Sequence, residues 1–315
     1  MIYIGLFFLS VVLTYVIKAY AMKKAVFDIP NERSSHSRPT PKGGGLAIVI
    51  VFYLGLLYFK ESIDSKLLYA LLCAVPVALI SLADDLFTLS SKIRFFIQSA
   101  SAGMALYFLG GVSSIDFILF EIHGWWINVI AFLAIVWLTN LYNFLDGIDG
   151  YAGSEAVMVG LGLFLFFHNP LGLVIVAACL GFLLFNWHQA SIFMGDIGSA
   201  TLGFVFAVFV FYDTSHGSIY VWMILLSLFW FDATLTLIRR YRKDEPITQA
   251  HKKHAYQRLT QGGWSHDKVV WFALGFNLIF FALLYFVENI LIVFMLNIIA
   301  LYAIMKLIDS KKSFI

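Results

Sequence analysis

The chain has 315 residues, 61% of them hydrophobic and 13% charged, with a net charge of +2 and a mean hydropathy of +0.87. A soluble domain is nearer half apolar and a quarter charged, so this composition excludes an ordinary soluble globular protein and points to an all-α polytopic membrane protein. Cys73 and Cys179 both lie inside apolar runs, which argues against a disulfide framework and a Cys-based zinc site.

A spanning helix needs about 20 mostly apolar residues. Eleven candidate spans follow in chain order: 2–22, 45–59, 67–83, 95–111, 125–141, 154–168, 171–187, 199–212, 219–238, 269–287 and 289–306. The second and eighth are short. Residues 1–17 are apolar, but no Lys or Arg precedes them and no small-residue cleavage site follows, so they read as a retained first helix with its N-terminus outside. The stretch Ile115 to Ile122 carries Asp116 and Glu121 and reads as an outer loop or interfacial turn.

With the N-terminus outside, residues 23–44, 84–94, 142–153, 188–198, 239–268 and the C-terminal tail share one side. That side holds 19 of the 21 Lys and Arg, leaving Lys60 and Lys66 on the other. Positive charge marks the cytoplasmic side. The expectation is one integral membrane catalytic domain over 1–315, C-terminus cytoplasmic, with its active-site loops on the cytoplasmic face. His168, His216 and His123 fall on the outer side and receive no role.

The polar motifs gather on that same face. Residues 140–153 hold Asn140, Asn143, Asp146 and Asp149 between two apolar segments. A charge near hydrocarbon costs roughly 2.5–3.5 kcal/mol on insertion scales and usually marks a site. Asp146 and Asp149, at i and i+3, would project the same way from a helical turn and could share a cation. Upstream, His36 to Gly45 combines two Pro and three Gly with Arg38 and Lys42, a non-helical loop suited to phosphate or simply a basic loop. Asp84 and Asp85 adjoin and repel, which favours a bound cation; the plainer reading pairs them with Lys92 or Arg94. Asp196, opening the eighth span after Phe193, fits either a helix cap or a ligand for a metal-bound phosphate. Asp232 lies within the ninth span, where a pair with an Arg or a tie between helices is expected rather than catalysis. The loop 239–268 carries Arg239, Arg240, His251, His254 and Arg258; it could attract lipid headgroups, but imidazole and guanidinium donors facing a diphosphate are the more economical reading.

In order and spacing, the motifs from Pro39 through Asp84-Asp85, Asn140 to Gly150, Phe193 to Ser199 and His251 to Arg258 resemble the polyprenyl-phosphate N-acetylhexosamine-1-phosphate transferase family. The resemblance covers most of the chain. It implies transfer of an N-acetylated sugar 1-phosphate from a UDP-sugar to undecaprenyl phosphate, with release of UMP, in a bacterial inner membrane. It further implies Mg²⁺, with Mn²⁺ as a substitute. Asp196 resembles the metal ligand, with Asn143 and Asp146 around metal and diphosphate. Asp149 and Phe193 match the residues that hold uracil, Asp84 and Asp85 the pair assigned to base or lipid-phosphate work, and His254 the first His of a His-rich loop. Here that loop reads His254-Ala-Tyr256-Gln257, which resembles members that start O-antigen or similar glycans.

These residues suit the chemistry. Phosphoryl transfer needs positioning and charge neutralisation. Mg²⁺ takes one or two carboxylates plus phosphates and water. Arg38, Lys42, His251 and Arg258 would offset the remaining charge. A phosphate monoester with a second pKa of about 6 is mostly deprotonated at neutral pH, so direct attack by the acceptor is favoured over an aspartyl-phosphate intermediate. The partners expected are the UDP-N-acetylated sugar, undecaprenyl phosphate and membrane lipids. No nucleic acid is expected, and a homodimer is left open. The alternative from another class is an ion-coupled transporter, which predicts polar groups inside helices near the midplane.

Overall fold

A computed structural model describes residues 1–30, 34–87, 89–214, 217–246, 249 and 251–314. His216 and parts of the loops 23–44, 84–94 and 239–268 lie outside the described residues. The described chain is helical throughout its length. The helices are α1 (Ile2–Lys23), α2 (Gly45–Tyr58), α3 (Ser65–Leu72), α4 (Ala74–Phe87), α5 (Ser91–Leu109), α6 (Trp126–Phe144) and α7 (Tyr151–Phe167). They continue with α8 (Leu171–Asn186), α9 (Asp196–Tyr212), α10 (Ser218–Leu225), α11 (Ser227–Tyr241), α12 (Ala255–Gln261), α13 (His266–Phe286) and α14 (Ile290–Lys311). Two short hairpins complete it: β1 (Phe27–Asp28) with β2 (Thr40–Pro41), and β3 (Ser114–Asp116) with β4 (Glu121–His123). The second occupies the stretch expected as an outer loop.

Each of the eleven expected segments is helical, and two are broken. The third divides at Cys73 into α3 and α4, with Pro76 in the first turn of α4 where a missing N–H is tolerated. The ninth bends by 76° between α10 and α11. Among the described residues, five helical stretches are long and apolar enough to cross a membrane, six if the bent pair is one span. Four apolar helices are shorter, namely α2, α7, α8 and α9. All four stop at the polar loops, where Gly44, Gly150, Trp187 and Gly195 flank their ends.

The central element is α9. Every residue from Ile197 to Phe211 is buried, as a helix apolar on all sides must be, and it packs on α2, α4 and α6. Around it α8 packs on α1, α2 and α7, while α13 and α14 lie outside. Large side chains such as Phe8, Trp271, Tyr285 and Phe286 are exposed on α1 and α13, the outer surface of a multi-pass membrane protein. Buried polar pairs tie the helices across this apolar interior. Ser10 Oγ donates to the Ala178 carbonyl at 2.6 Å, Asn140 Nδ2 to Gln98 Oε1 at 2.8 Å and Asn277 Nδ2 to Glu155 Oε2 at 2.7 Å. One end of the bundle collects the ends of α4, α6, α8 and α11 and the starts of α2, α5, α7, α9 and α13. That end carries the polar motifs.

Candidate active site

The geometry is built on the start of α9. Its N-cap residue, Gly195, has no side chain to offer. The cap comes instead from the end of α4: Asp85 accepts from the backbone nitrogens of Asp196 at 3.3 Å and Ile197 at 3.2 Å. Asp196 is therefore not the cap that its position suggests, and its carboxylate is free to project. Arg94 Nη1 donates to Asp196 Oδ2 and to Asp84 Oδ2, both at 2.6 Å. The adjacent acids are thus split: Asp84 goes to Arg94, and Asp85 goes to the α9 N-terminus and to Lys42 Nζ at 3.7 Å.

Two loops are laced together over this point. Gly44 and Gly45 donate their N–H groups to the carbonyls of Phe193 and Met194 at 2.9 and 2.8 Å, and Phe193 donates to Pro41 at 2.8 Å. A Cβ on Gly45 would stand 2.4 Å from the Gly198 Cα, so glycine is required for this approach. His36 packs edge-on against Phe193 at 4.8 Å.

The stretch 145–150 joins α6 to α7 and is not helical, so Asp146 and Asp149 do not share a helical face. Asn143, at the end of α6, accepts the Ser199 hydroxyl at 2.6 Å. Burial and the nearby Asp196, Asp85 and Asp149 push the Asp146 carboxyl up to about 8. Asp149 takes the other direction. Burial raises it, but hydrogen bonds from His266 and His188 outweigh burial and hold it below its ordinary value. His188 Nδ1 stands 2.9 Å and His266 Nδ1 3.1 Å from Asp149 Oδ2, and the Ala190 N–H donates to the same oxygen at 3.3 Å.

Lys42, Asp85, Asn143, Asp146, Phe193 and Asp196 all line one cleft of about 440 Å³, together with Asp149. A second cleft of about 670 Å³ adjoins it and holds Arg38 and His188. The two share His36, Asp149, Phe193 and His266.

The structure does not bring His251, His254 or Arg258 to either cleft. His254 is buried, its ring stacked near His251 and Tyr256. His251 accepts the Lys253 N–H, and burial with the neighbouring His254 and Arg240 lowers it to about 4, so it stays neutral. Arg258 binds Asp309 Oδ1 at 2.5 Å and also the Lys312 carbonyl. Asp232 does not pair with Arg239 or Arg240; both its oxygens accept the Ala255 N–H at 2.9 Å, which caps α12. The capped helix holds Tyr256, whose hydroxyl donates to the Phe144 carbonyl at 3.1 Å, and turns Gln257 into the first cleft. His188 and His266 were not singled out from the sequence, and Gln257 was given no site role there. The pair of Asp84 with Arg94 is the plainer reading of the acid pair, but the bridge from Arg94 to Asp196 was not foreseen.

Asp196, Asp146 and the Asn143 amide offer oxygen donors of the kind that Mg²⁺ takes. The mutual repulsion that raises Asp146 is what a cation among them would relieve. Asp149, His188 and His266 bring three further ligand atoms within 4.8 Å of one another, a nitrogen-rich set that suits a transition metal better than Mg²⁺.

The profile of glycosyl transferase family 4 matches residues 67–213. A probable undecaprenyl-phosphate N-acetylglucosaminyl 1-phosphate transferase of Bacillus subtilis is 32% identical over 286 residues, 84% of this chain and 78% of its own length. The undecaprenyl-phosphate alpha-N-acetylglucosaminyl 1-phosphate transferase of Escherichia coli K12 is 27% identical over 83% of this chain and 76% of its own. A decaprenyl-phosphate N-acetylglucosaminephosphotransferase of Mycolicibacterium smegmatis is 28% identical over 81% and 73%.

Proposed function

This chain belongs to glycosyl transferase family 4, among the polyprenyl-phosphate N-acetylhexosamine-1-phosphate transferases, and we propose that it moves an N-acetylhexosamine 1-phosphate from a UDP-sugar to undecaprenyl phosphate. The convergence of Asp85, Asp146, Asp196, Asn143 and Lys42 on one cleft carries this reading. A sugar–nucleotide diphosphate needs a cation and donors in one place, and the acids sit beside Lys42. The uridine would lie toward Asp149 and Phe193, where the two clefts meet.

Asp196, Asp146 and Asn143 would hold Mg²⁺, which supplies charge neutralisation on the diphosphate. Asp85 fixes the start of α9 and with it the direction of Asp196. Lys42 offsets diphosphate charge. Both acids of the Asp84-Asp85 pair are already engaged, by Arg94 and by the α9 backbone, which supports positioning roles and direct displacement over a covalent aspartyl intermediate. In that displacement an acceptor phosphate oxygen bonds to the sugar-bearing phosphorus. The bond from that phosphorus to UMP breaks, and UMP leaves with the electron pair.

The charge bias of the loops supports a cytoplasmic active site in a bacterial inner membrane, with eleven spans counted from the eleven helical segments. The product would start a lipid-linked glycan, with O-antigen or a related envelope polysaccharide as the expected class. The transporter alternative is not favoured, because the relatives it resembles are transferases.

The test is UMP release by purified chain with undecaprenyl phosphate across a panel of UDP-N-acetylhexosamines. Release with at least one sugar is expected, abolished by EDTA and lowered at least about 100-fold by Asp196→Asn. Release that survives both would overturn the metal assignment. No release with any sugar, and no UDP-sugar binding, would overturn the reaction.

A further inference from the structure

We propose that Asp149, His188 and His266 form a zinc site where the two clefts meet, separate from the oxygen donors that would hold Mg²⁺, and that zinc bound there competes with the donor's uridine. The metal site stands on its own geometry; the competition rests on the transferase reading above. The three side chains come from distant parts of the chain: the turn between α6 and α7, the stretch after α8 and the first residue of α13. His188 Nδ1 and His266 Nδ1 converge on a single oxygen, Asp149 Oδ2, at 2.9 and 3.1 Å. All three ligand atoms lie within 4.8 Å of one another.

One carboxylate oxygen does not need two imidazoles to be satisfied, since the Ala190 N–H already reaches Oδ2 at 3.3 Å. Two rings that present the same atom to it make a ligand set. Ligands about 2.0–2.2 Å from a tetrahedral zinc stand about 3.3–3.5 Å from one another. The two nitrogen–oxygen distances therefore need to open by only a few tenths of an ångström. Each imidazole would ligate through Nδ1 and carry its one proton on Nε2. Two His and one carboxylate are a set that zinc takes with water in the fourth position. Mg²⁺ prefers oxygen throughout, which Asp196, Asp146 and Asn143 offer and this cluster does not. The two ions are thus sorted by ligand chemistry within one connected space.

The place of the cluster gives it both an entry path and a consequence. The His188 side chain is 31% exposed, against 12% for His266 and 8% for Asp149, so an ion reaches the buried pair past the one open ligand. All three residues line the second cleft, and Asp149 and His266 line the first as well. The uridine is placed at this same junction, where the Asp149 carboxylate is the natural acceptor for a uracil N–H. Zinc on Oδ2 takes that acceptor, and its bound water fills the adjacent space. Zinc and the UDP-sugar would therefore exclude each other, while Mg²⁺ among Asp196, Asp146 and Asn143 stays in place.

The experiment is calorimetric titration of the full chain in detergent with Zn²⁺ in excess Mg²⁺, beside visible absorption with Co²⁺ as a reporter of coordination geometry. The expected result is one zinc per chain and the strong absorption of tetrahedral cobalt. His188→Ala and His266→Ala should each weaken zinc about ten-fold or more, and Asp196→Asn should leave it within about two-fold of wild type. Zinc should raise the thermal midpoint of wild type but not of His188→Ala, whose exposed side chain makes it the variant that keeps its fold. UDP-GlcNAc should weaken zinc binding to wild type. Zinc affinity unchanged in both His variants would overturn the site, as would displacement of zinc by Mg²⁺. Zinc binding in the expected pattern that UDP-GlcNAc does not weaken would overturn the competition. Wild-type chain that binds zinc in that pattern but neither binds UDP-GlcNAc nor releases UMP would uphold the metal site and sink the transferase reading.

Discussion

The carboxylate of Asp85, at the end of α4, stands 3.3 Å from the backbone nitrogen of Asp196 and 3.2 Å from that of Ile197, and so caps a helix to which it does not belong. The capping residue of α9 itself is glycine, in a left-handed conformation with φ +75°. A Cβ there would lie 2.6 Å from Asp85 Oδ2. Gly195 and Asp85 are therefore one device, which frees Asp196 to face the cleft.

Substitution at Asp85 separates the cap from the charge. Asn keeps one acceptor oxygen and loses the charge, so Asp85→Asn can hold only one of the two backbone N–H groups and should lose less stability than Asp85→Ala while UMP release falls. Asp85→Ala loses both, at about 1–2 kcal/mol of stability for a missing cap. Thermal unfolding in detergent beside the UMP assay checks this. Equal loss of stability in the two variants would refute the capping role.

Gly147 and Tyr256 give a second prediction. A Cβ on Gly147 would stand 2.0 Å from the Tyr256 hydroxyl oxygen. Gly147→Ala must push the ring off Phe144 or move the loop that carries Asp146, at about 1–3 kcal/mol for overpacking. Tyr256→Phe alone removes one hydrogen bond, about 1 kcal/mol. The double variant should recover part of the Gly147→Ala loss, as residues in contact do not act additively. Strict additivity in denaturation of the four proteins would show that the two do not meet.

The third prediction concerns acid. His251 is held at about 4 by burial, His254 and Arg240, against the opposing pull of Asp232 and Glu245. An unfolded chain takes up this proton below about pH 6.5. Between about 6.5 and 4 the unfolded state binds more protons than the folded one, so stability falls as the pH drops through that window. The thermal midpoint should decline there for wild type, and His251→Gln should decline less. Parallel pH profiles for the two would show that His251 is not held neutral.

Much was legible in the chain itself. Each of the eleven apolar runs proved helical, because the hydrocarbon demands continuous apolar sequence and internally satisfied backbone, while α12 and the breaks at Cys73 and Leu226 were not foreseen. The motifs around Lys42, Asp85, Asn143, Asp146, Phe193 and Asp196 stood out in the sequence, and the fold brings them to one cleft. Length was less legible. Four of the segments fold as short helices because glycines and extended residues at the polar loops end them early.

What only the tertiary structure decided is who holds whom. A single chain of residue types cannot say that Asp85 caps α9 from the wall of the cleft, or that Asp84 and Asp196 share Arg94, which stands 102 positions from Asp196. Nor could it say that Asp149 would meet His188 and His266, or that His251, His254 and Arg258 would turn away from the clefts while Gln257 turns in. Composition and local pattern follow from the solvent and from the backbone, which act on each residue where it stands. Hydrogen bonds and charge pairs between distant segments act over about 3 Å and exist only once packing has brought the partners together.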